Sequence, residues 1–274
     1  MRPLSERTIL ITGATDGLGR ALAAELADAG ATVLVHGRDD ARGRDTIDDI
    51  RARSGNEKLR WLRADLSSLD EVRALAEQVT GEHGRLDGLV NNAGIGASIP
   101  GDGDRLESRD GYELRFAVNY LAGFLLTRLL LPLLVESAPA RIVNVSSGGQ
   151  APIDFDDVML ERNYSGIQAY CQSKLAQIAY GMALAERLDP AEVTVNSLHP
   201  STFMPTKMVL AERGSAEDPL ERGVEATHRL VADPALDGVT GRFFDREEET
   251  APHPWALDRA NRERLVELSR ELTA

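Results

Sequence analysis

Near its N-terminus the chain reads Thr8-Ile9-Leu10-Ile11-Thr12-Gly13-Ala14-Thr15-Asp16-Gly17-Leu18-Gly19. The first four residues are apolar and β-branched in character, which predicts a short buried strand. Leu18, Leu22 and Leu26 then recur at helical spacing with small alanines between them, so a helix starts at the last glycines. Glycines let the backbone turn sharply and approach a pyrophosphate closely. A helix N-terminus favours anionic charge. The spacing is Gly-x-x-x-Gly-x-Gly, not the Gly-x-Gly-x-x-Gly of the usual dinucleotide fingerprint. Taken alone, the turn suits either a dinucleotide or an ordinary βα connection.

The same alternation continues outward. Residues 32–37 form a second apolar run that ends in Gly37-Arg38-Asp39. In a nucleotide-binding βαβ unit this strand end meets the adenosine ribose, where an acid would bond the 2′-hydroxyl. Gly37 followed by the cation Arg38 favours a 2′-phosphate, hence NADP over NAD. Arg38 as a solvated loop charge is the bland reading, and Asp39 is a possible substitute for the missing acid. A charged, exposed helix is expected over 41–53, a strand over 59–63, and a helix over 69–82 with Ser67 and Ser68 as candidate caps. Asp65 falls just past a strand end, within reach of an adenine or merely capping a turn. A strand over 86–90 leads into Asn91-Asn92-Ala93-Gly94, where Gly and Ala permit close approach and the two Asn side chains can tie neighbouring segments together.

A polar loop is expected over 96–110 and a long apolar helix over 112–135. Asn119 sits inside that helix among apolar neighbours, which is costly unless its amide is paired. A fifth strand over 141–147 ends in Ser146 and Ser147. An acidic loop spans 148–165, then a helix carries Tyr170 and Lys174 to about residue 188. A strand over 193–199 is closed by Pro200. The remaining expectations are a loop over 201–215, a helix over 217–232, a short strand over 240–245, an acidic turn-rich stretch over 246–254 and a terminal helix over 255–272. Continuous βα alternation implies a parallel sheet covered on both faces. The fold class is therefore α/β, a Rossmann-like doubly wound sheet in a single domain over 1–274.

Tyr170 and Lys174 are four residues apart, so on a helix they share a face. Among the five tyrosines only Tyr170 has a cation at that offset. A free phenol titrates near ~10, and a nearby cation favours the phenolate. Such a Tyr can act as general acid or base at an alcohol oxygen. The pair alone is chance-level.

Composition narrows the classes. The formal net charge of −13 argues against nucleic acid, and no basic cluster suits anionic lipid. One cysteine, Cys171, excludes an internal disulfide and fits a reducing compartment. Residues 121–135, interrupted by Thr127, Arg128 and Pro132, are expected to be too short and broken to cross a bilayer. A cytoplasmic location is expected. The five histidines show no metal-ligand spacing, so no metal site is expected. Cys171, Trp61 and Trp255 read as packing residues.

Thr12-Gly13-x-x-x-Gly17-x-Gly19, Asp65, Asn91-Asn92-Ala93-Gly94, Asn119, Ser147, Tyr170-x-x-x-Lys174 and His199-Pro200 stand in one order. With them, the whole chain resembles the short-chain dehydrogenase/reductase family. The segment from Ser147 to Tyr170 and the stretch Ala169-Tyr170-Cys171-Gln172-Ser173-Lys174-Leu175-Ala176 look most like its retinol dehydrogenase-like branch. The resemblance implies an NADP(H)-dependent enzyme that interconverts an alcohol and a carbonyl, with NAD possible as cofactor. It implies that Tyr170 is the general acid/base and that Lys174 lowers its pKa and bonds the nicotinamide ribose. Ser147 would hold the substrate oxygen, and Asn119 a water that relays protons to Lys174. The implied cofactor contacts are Gly13, Thr15, Asp16, Gly17, Leu18, Gly19, Arg38, Asp65, Leu66, Asn92, Ala93, Gly94, Tyr170, Lys174 and Thr202. Members of the branch often prefer NADP. Its membrane-bound members carry an N-terminal anchor not expected here. Ser201 departs from the family's usual glycine, and 201–215 would form a variant substrate lid. The expected partners are a small, apolar alcohol or carbonyl and a second copy of the chain, as a homodimer or homotetramer. The alternative is a non-catalytic dinucleotide-binding sensor or interaction protein on the same fold.

Overall fold

A computed structural model describes every position of the chain except residues 99, 102 and 103. These fall in the expected 96–110 loop and lie outside the described residues. The strands and helices of the first half are β1 (Thr8–Ile11), α1 (Gly17–Asp28), β2 (Thr32–Gly37), α2 (Asp40–Ser54), β3 (Leu59–Arg63), α3 (Leu69–Glu82) and β4 (Gly88–Asn91). Ser68 caps α3 by accepting the Glu71 N–H, and Asp39 caps α2 by accepting the Arg42 N–H.

The expected long apolar helix is present but interrupted. It comprises α4 (Leu114–Phe116), a π-helical turn (Ala117–Leu121) and α5 (Ala122–Glu136). The Ala122 N–H reaches back to the Ala117 carbonyl, five residues away, which is the π pattern. The continuous run Leu114–Glu136 has 23 residues and is long and apolar enough to cross a membrane, contrary to the reading of 121–135. Its most apolar window is 61% buried inside the fold, as in a core helix.

Then come β5 (Ala140–Val145), α6 (Gly166–Ala185), β6 (Val193–His199), α7 (Lys207–Arg213), α8 (Leu220–Ala232), β7 (Phe243–Asp245), β8 (Glu248–Thr250), α9 (Pro254–Leu257) and α10 (Arg259–Leu272). Three expectations are corrected. The 201–215 loop contains α7, which Thr206 caps by accepting the Val209 N–H and which ends at left-handed Gly214. The turn-rich 246–254 stretch contains β8, folded back on β7 in antiparallel register. The terminal helix is divided at Asp258, whose carboxylate accepts the Ala260 N–H and starts α10.

The sheet order is β3-β2-β1-β4-β5-β6-β7-β8. The first seven strands pair in parallel, with Ile9 opposite Val33 and Gly88, and Ile142 opposite Val195. One apolar cluster joins α1, α2 and α8 to one face, through Leu22, Leu26, Ile50 and Leu230. The other joins α3, α5, α6 and α10 to the opposite face, through Leu75, Leu126, Ile178 and Leu265. The chain fills the β3 edge and then returns through α3 to lay β4 beside β1. That reversal opens a crevice at the carboxyl ends of β1 and β4, where ligands of such sheets bind.

Candidate active site

The crevice floor starts at the glycine turn. Gly13 has φ +66, and a Cβ there would stand 2.8 Å from the Ala93 Cα. A Cβ on Gly19 would lie 2.4 Å from Asn92 Nδ2 and 2.5 Å from the Gly13 carbonyl oxygen. The turn is bonded to the segment after β4. Asn92 Nδ2 donates to the Thr12 and Gly13 carbonyls at 2.8 and 3.2 Å, while Thr12 Oγ1 accepts from the Asn92 and Ala93 N–H groups at 3.0 Å each. Leu18 is buried beneath the turn. Thr15 packs its methyl against Gly37. Asp16 accepts the Gly17 N–H and pairs with Arg42 and Lys207, so its carboxylate is engaged by protein.

His36, for which the sequence reading had no use, secures this turn. Its Nδ1 accepts the Gly13 N–H at 3.2 Å, and Nε2 lies 3.2 Å from the Ala64 carbonyl, which it faces as donor. Burial lowers its pKa to about 4, so the imidazole is neutral. The available signal was a lone histidine in an apolar buried strand.

Arg38 is exposed at the end of β2. Asp39, the possible substitute acid, is committed to the α2 cap. Asp65 Oδ1 accepts the Ser67 N–H, and Oδ2 faces Arg109. Burial works to raise its pKa, but the Ser67 hydrogen bonds and the charges of Arg109 and Arg38 outweigh it and hold the carboxyl below its ordinary value. Leu66 borders a cavity of about 10 Å³ together with Thr12, Asn91, Ala93, Asn119 and Gln177.

Asn119, on the π-helical turn, is 1% exposed. Its Oδ1 accepts the Ile95 N–H at 2.8 Å, and Nδ2 donates to the Ile95 carbonyl and to Ser173 Oγ at 3.1 and 3.0 Å. Its amide is thus paired, as burial demands, and it joins the segment after β4 to α6. Ser146 and Ser147 part ways at the end of β5. Ser146 Oγ donates to the Lys174 carbonyl at 2.7 Å, whereas Ser147 Oγ accepts the Gly149 N–H at 3.0 Å. A Cβ on Gly149 would stand 3.5 Å from Ser147 Oγ, 3.9 Å from Tyr170 Cε1 and 3.2 Å from Cys171 Sγ. These side chains therefore meet around one glycine. Burial raises the Cys171 thiol, which suits packing and not nucleophilic chemistry.

Burial also raises the Tyr170 phenol, the Ser147 hydroxyl opposes this, and the charge of Glu212 adds to it. The net direction is upward, set by burial. The Lys174 ammonium is 5.9 Å from the ring centroid and donates to the Val145 carbonyl at 2.9 Å and to Gln177 Oε1 at 3.1 Å. Burial lowers its own pKa to about 8. Gly94 lies against this ammonium, a Cβ there standing 3.3 Å away.

The roof is the segment 201–215. Asp218 accepts from Ser201 Oγ and the Thr202 N–H at 2.8 and 3.0 Å, and pairs with Arg246. Ser201 thus has a use that glycine lacks. The Thr202 N–H and Ser201 hydroxyl hold Asp218 well below the usual carboxylate range. Thr202 Oγ1 accepts from Arg246 at 2.9 Å. The Thr206 methyl would be 2.9 Å from a Cβ on Gly17, so the roof touches the turn. On α7, Glu212 accepts the Ser98 N–H at 2.5 Å. Arg115, fully buried, donates to the Gly96 and Pro100 carbonyls and to Tyr164 Oη. It joins the segment after β4 to the acidic insert, another contact with no signal in the sequence.

The crevice suits a nicotinamide dinucleotide. Glycines leave room at the turn, the α1 N-terminus opens there, Arg38 is exposed, and one of the three ammonium N–H groups of Lys174 is not used by Val145 or Gln177. A family model for short chain dehydrogenases matches residues 7–216. Human retinol dehydrogenase 14 is 38% identical over 96% of this chain and 85% of its own length. Human retinol dehydrogenase 13 is 36% identical over 94% of this chain and 82% of its own. A protein from Mycobacterium paratuberculosis superposes with TM-score 0.76 at 29% identity, over 98% of this chain and 93% of that one. A short chain dehydrogenase from Shigella flexneri 2a str. 301, complexed with NADP, does so with TM-score 0.71 at 26% identity, over 89% of this chain and 98% of that one. The chain belongs to the short-chain dehydrogenase/reductase family, on its retinol dehydrogenase-like branch, as an oxidoreductase that acts on CH–OH groups with a nicotinamide dinucleotide.

Proposed function

We propose that this enzyme interconverts an apolar alcohol and its carbonyl with NADP(H), using Tyr170 Oη as general acid and base. The observation that carries this is the meeting of Ser147 and Tyr170 around Gly149, with the Lys174 ammonium buried behind them. The bound dinucleotide supplies or accepts the hydride. Tyr170 Oη gives a proton to the carbonyl oxygen in reduction and takes it back from the alcohol in oxidation. Ser147 Oγ donates a hydrogen bond to that same oxygen. The Lys174 ammonium favours the phenolate and bonds the cofactor ribose, and Asn119 holds a water that passes protons to Lys174. Residues 201–215 act as a substrate lid on a single catalytic domain.

The NADP preference rests on Arg38. Asp39 is occupied as the α2 cap, which removes the nearest acid from competition for a ribose hydroxyl. The NADP complex of the Shigella relative agrees. The acidic charge and largely buried apolar helix support a cytoplasmic enzyme without membrane attachment. A homodimer or homotetramer completes the reading. Complete retention of Asn119, Ser147, Tyr170 and Lys174 disfavours a non-catalytic sensor.

The test is an oxidation and reduction panel of apolar alcohols, aldehydes and ketones with both cofactors. Tyr170→Phe should lower turnover by roughly 10²–10⁴-fold with NADPH affinity nearly unchanged. Undiminished turnover removes the role of Tyr170. Arg38→Ala should weaken NADPH about tenfold, the scale of one charge-assisted bond, and NADH hardly at all. Equal losses would show that Arg38 does not read the 2′-phosphate.

A further inference from the structure

We infer that Gln177 is a positioning residue for Lys174, its side-chain carbonyl holding the ammonium in place beside Tyr170. The inference rests on the role proposed above for Lys174. Lys174 and Gln177 are 4% and 5% exposed and lie three residues apart on α6, on one face. A buried ammonium needs acceptors. Here they are the Val145 carbonyl at 2.9 Å and Gln177 Oε1 at 3.1 Å. The first is backbone fixed by the sheet, so Gln177 is the acceptor that sequence can vary. Two neutral groups also lie near the ammonium, Asn119 on the π-helical turn and Gly94 after β4, a Cβ on Gly94 standing 3.3 Å from Lys174 Nζ and 3.4 Å from Asn119 Oδ1. Tyr170 is the titratable group facing it, and the charge of Glu212 acts on Tyr170.

A neutral acceptor matters for the chemistry. A carboxylate at 177 would pair with the ammonium and cancel the positive field that favours the phenolate. A hydrocarbon would leave a second N–H without its acceptor in a buried site and favour the neutral amine. An amide fixes the ammonium while leaving its charge uncompensated. Gln177 also borders the small cavity lined by Thr12, Asn91 and Asn119.

The chain has only three lysines, Lys58, Lys174 and Lys207, which makes the test direct. Lysine labelled with ¹³C at Cε gives three NMR signals, and Lys174→Arg identifies the one that matters. Its titration midpoint is expected near 8, following the lowered pKa of the buried amine. Gln177→Glu should raise that midpoint by about one unit or more, and Gln177→Leu should lower it by about one unit. The alkaline limb of kcat/KM should follow in the same two directions, an opposition that loosened packing does not produce. If the leucine variant fails to fold, the near-isosteric Gln177→Glu decides alone. Midpoints that do not move, or that move in one direction in both variants, overturn the inference. Midpoints that move while the alkaline limb stays put support the Gln177 contact and overturn the proposed role of Lys174 instead.

Discussion

Around Lys174 the crevice is closed by buried side chains that bond directly to one another, whereas α7 above it buries none of its residues. On the floor, Asn119, Ser173, Ser146 and Lys174 link the π-helical turn, α6 and β5. The roof is held by charge, through Asp218 to Arg246 and Glu212 to the Ser98 N–H. A floor of this kind resists displacement, because each buried polar group loses its partner if it moves. A roof of half-buried charges keeps access to water and exchanges its partners at lower cost. The difference agrees with the proposed roles, a fixed reaction centre beneath a substrate lid.

The same substitution made in each region gives the largest contrast. Gly19→Ala places a methyl 2.5 Å from a backbone carbonyl, which cannot yield as a side-chain tip can. Its cost should reach or exceed the top of the about 1–3 kcal/mol range for overpacking. Gly214→Ala, at the end of α7, meets nothing within 4 Å and strains only a φ of +74, about 1 kcal/mol. Urea unfolding midpoints measure both, and equal midpoints would erase the distinction between floor and roof.

Acid should also attack the floor first. His36 is neutral in the fold with a pKa lowered to about 4 from 6.5. Above about pH 6.5 it is neutral in folded and unfolded chains alike, and its contribution is intact. As pH falls below that value the unfolded chain binds a proton that the folded chain refuses, and stability declines until about pH 4. The span corresponds to about 3 kcal/mol. Protonation at Nδ1 also ends acceptance of the Gly13 N–H. Wild-type protein should therefore lose about that much more stability between pH 7 and pH 4 than His36→Gln, read from urea midpoints. Parallel curves would mean that His36 titrates normally.

Legibility in the sequence follows the same division. The strands and most helices of the floor follow from apolar runs and caps within one element, and β2, β3, α3 and β6 fall on their expected residues. Asn119 announced itself as a polar residue in an apolar helix. What it bonds to was not readable, because Ile95 and Ser173 come from distant segments. The roof is governed by contacts of that kind. Nothing local to Glu212 or Asp218 points to Ser98 or Ser201, and Pro200 and Pro205, which read as turn residues, conceal the short helix that follows them. The antiparallel β8 was missed because its residues are exposed and charged, and only pairing with β7 makes it a strand.

The smallest expected effect tests whether the roof communicates with the floor. The Glu212 carboxylate bonds the Ser98 N–H, and its charge helps hold the Tyr170 phenol above its ordinary value. Glu212→Gln keeps an acceptor of the same length but removes the charge. Without that negative neighbour the phenolate is less disfavoured, so the Tyr170 ionisation in the kcat/KM profile should move to lower pH by a fraction of a unit, with KM little changed. Glu212→Ala removes the acceptor as well. It should raise KM about fivefold, the scale of one hydrogen bond of about 1 kcal/mol, with the same small pH shift. If the two variants differ in KM but share the shift, the latch and the charge are separable functions of one side chain. If neither moves the profile, the roof acts on substrate entry alone and the proton-transfer site is set entirely by the floor.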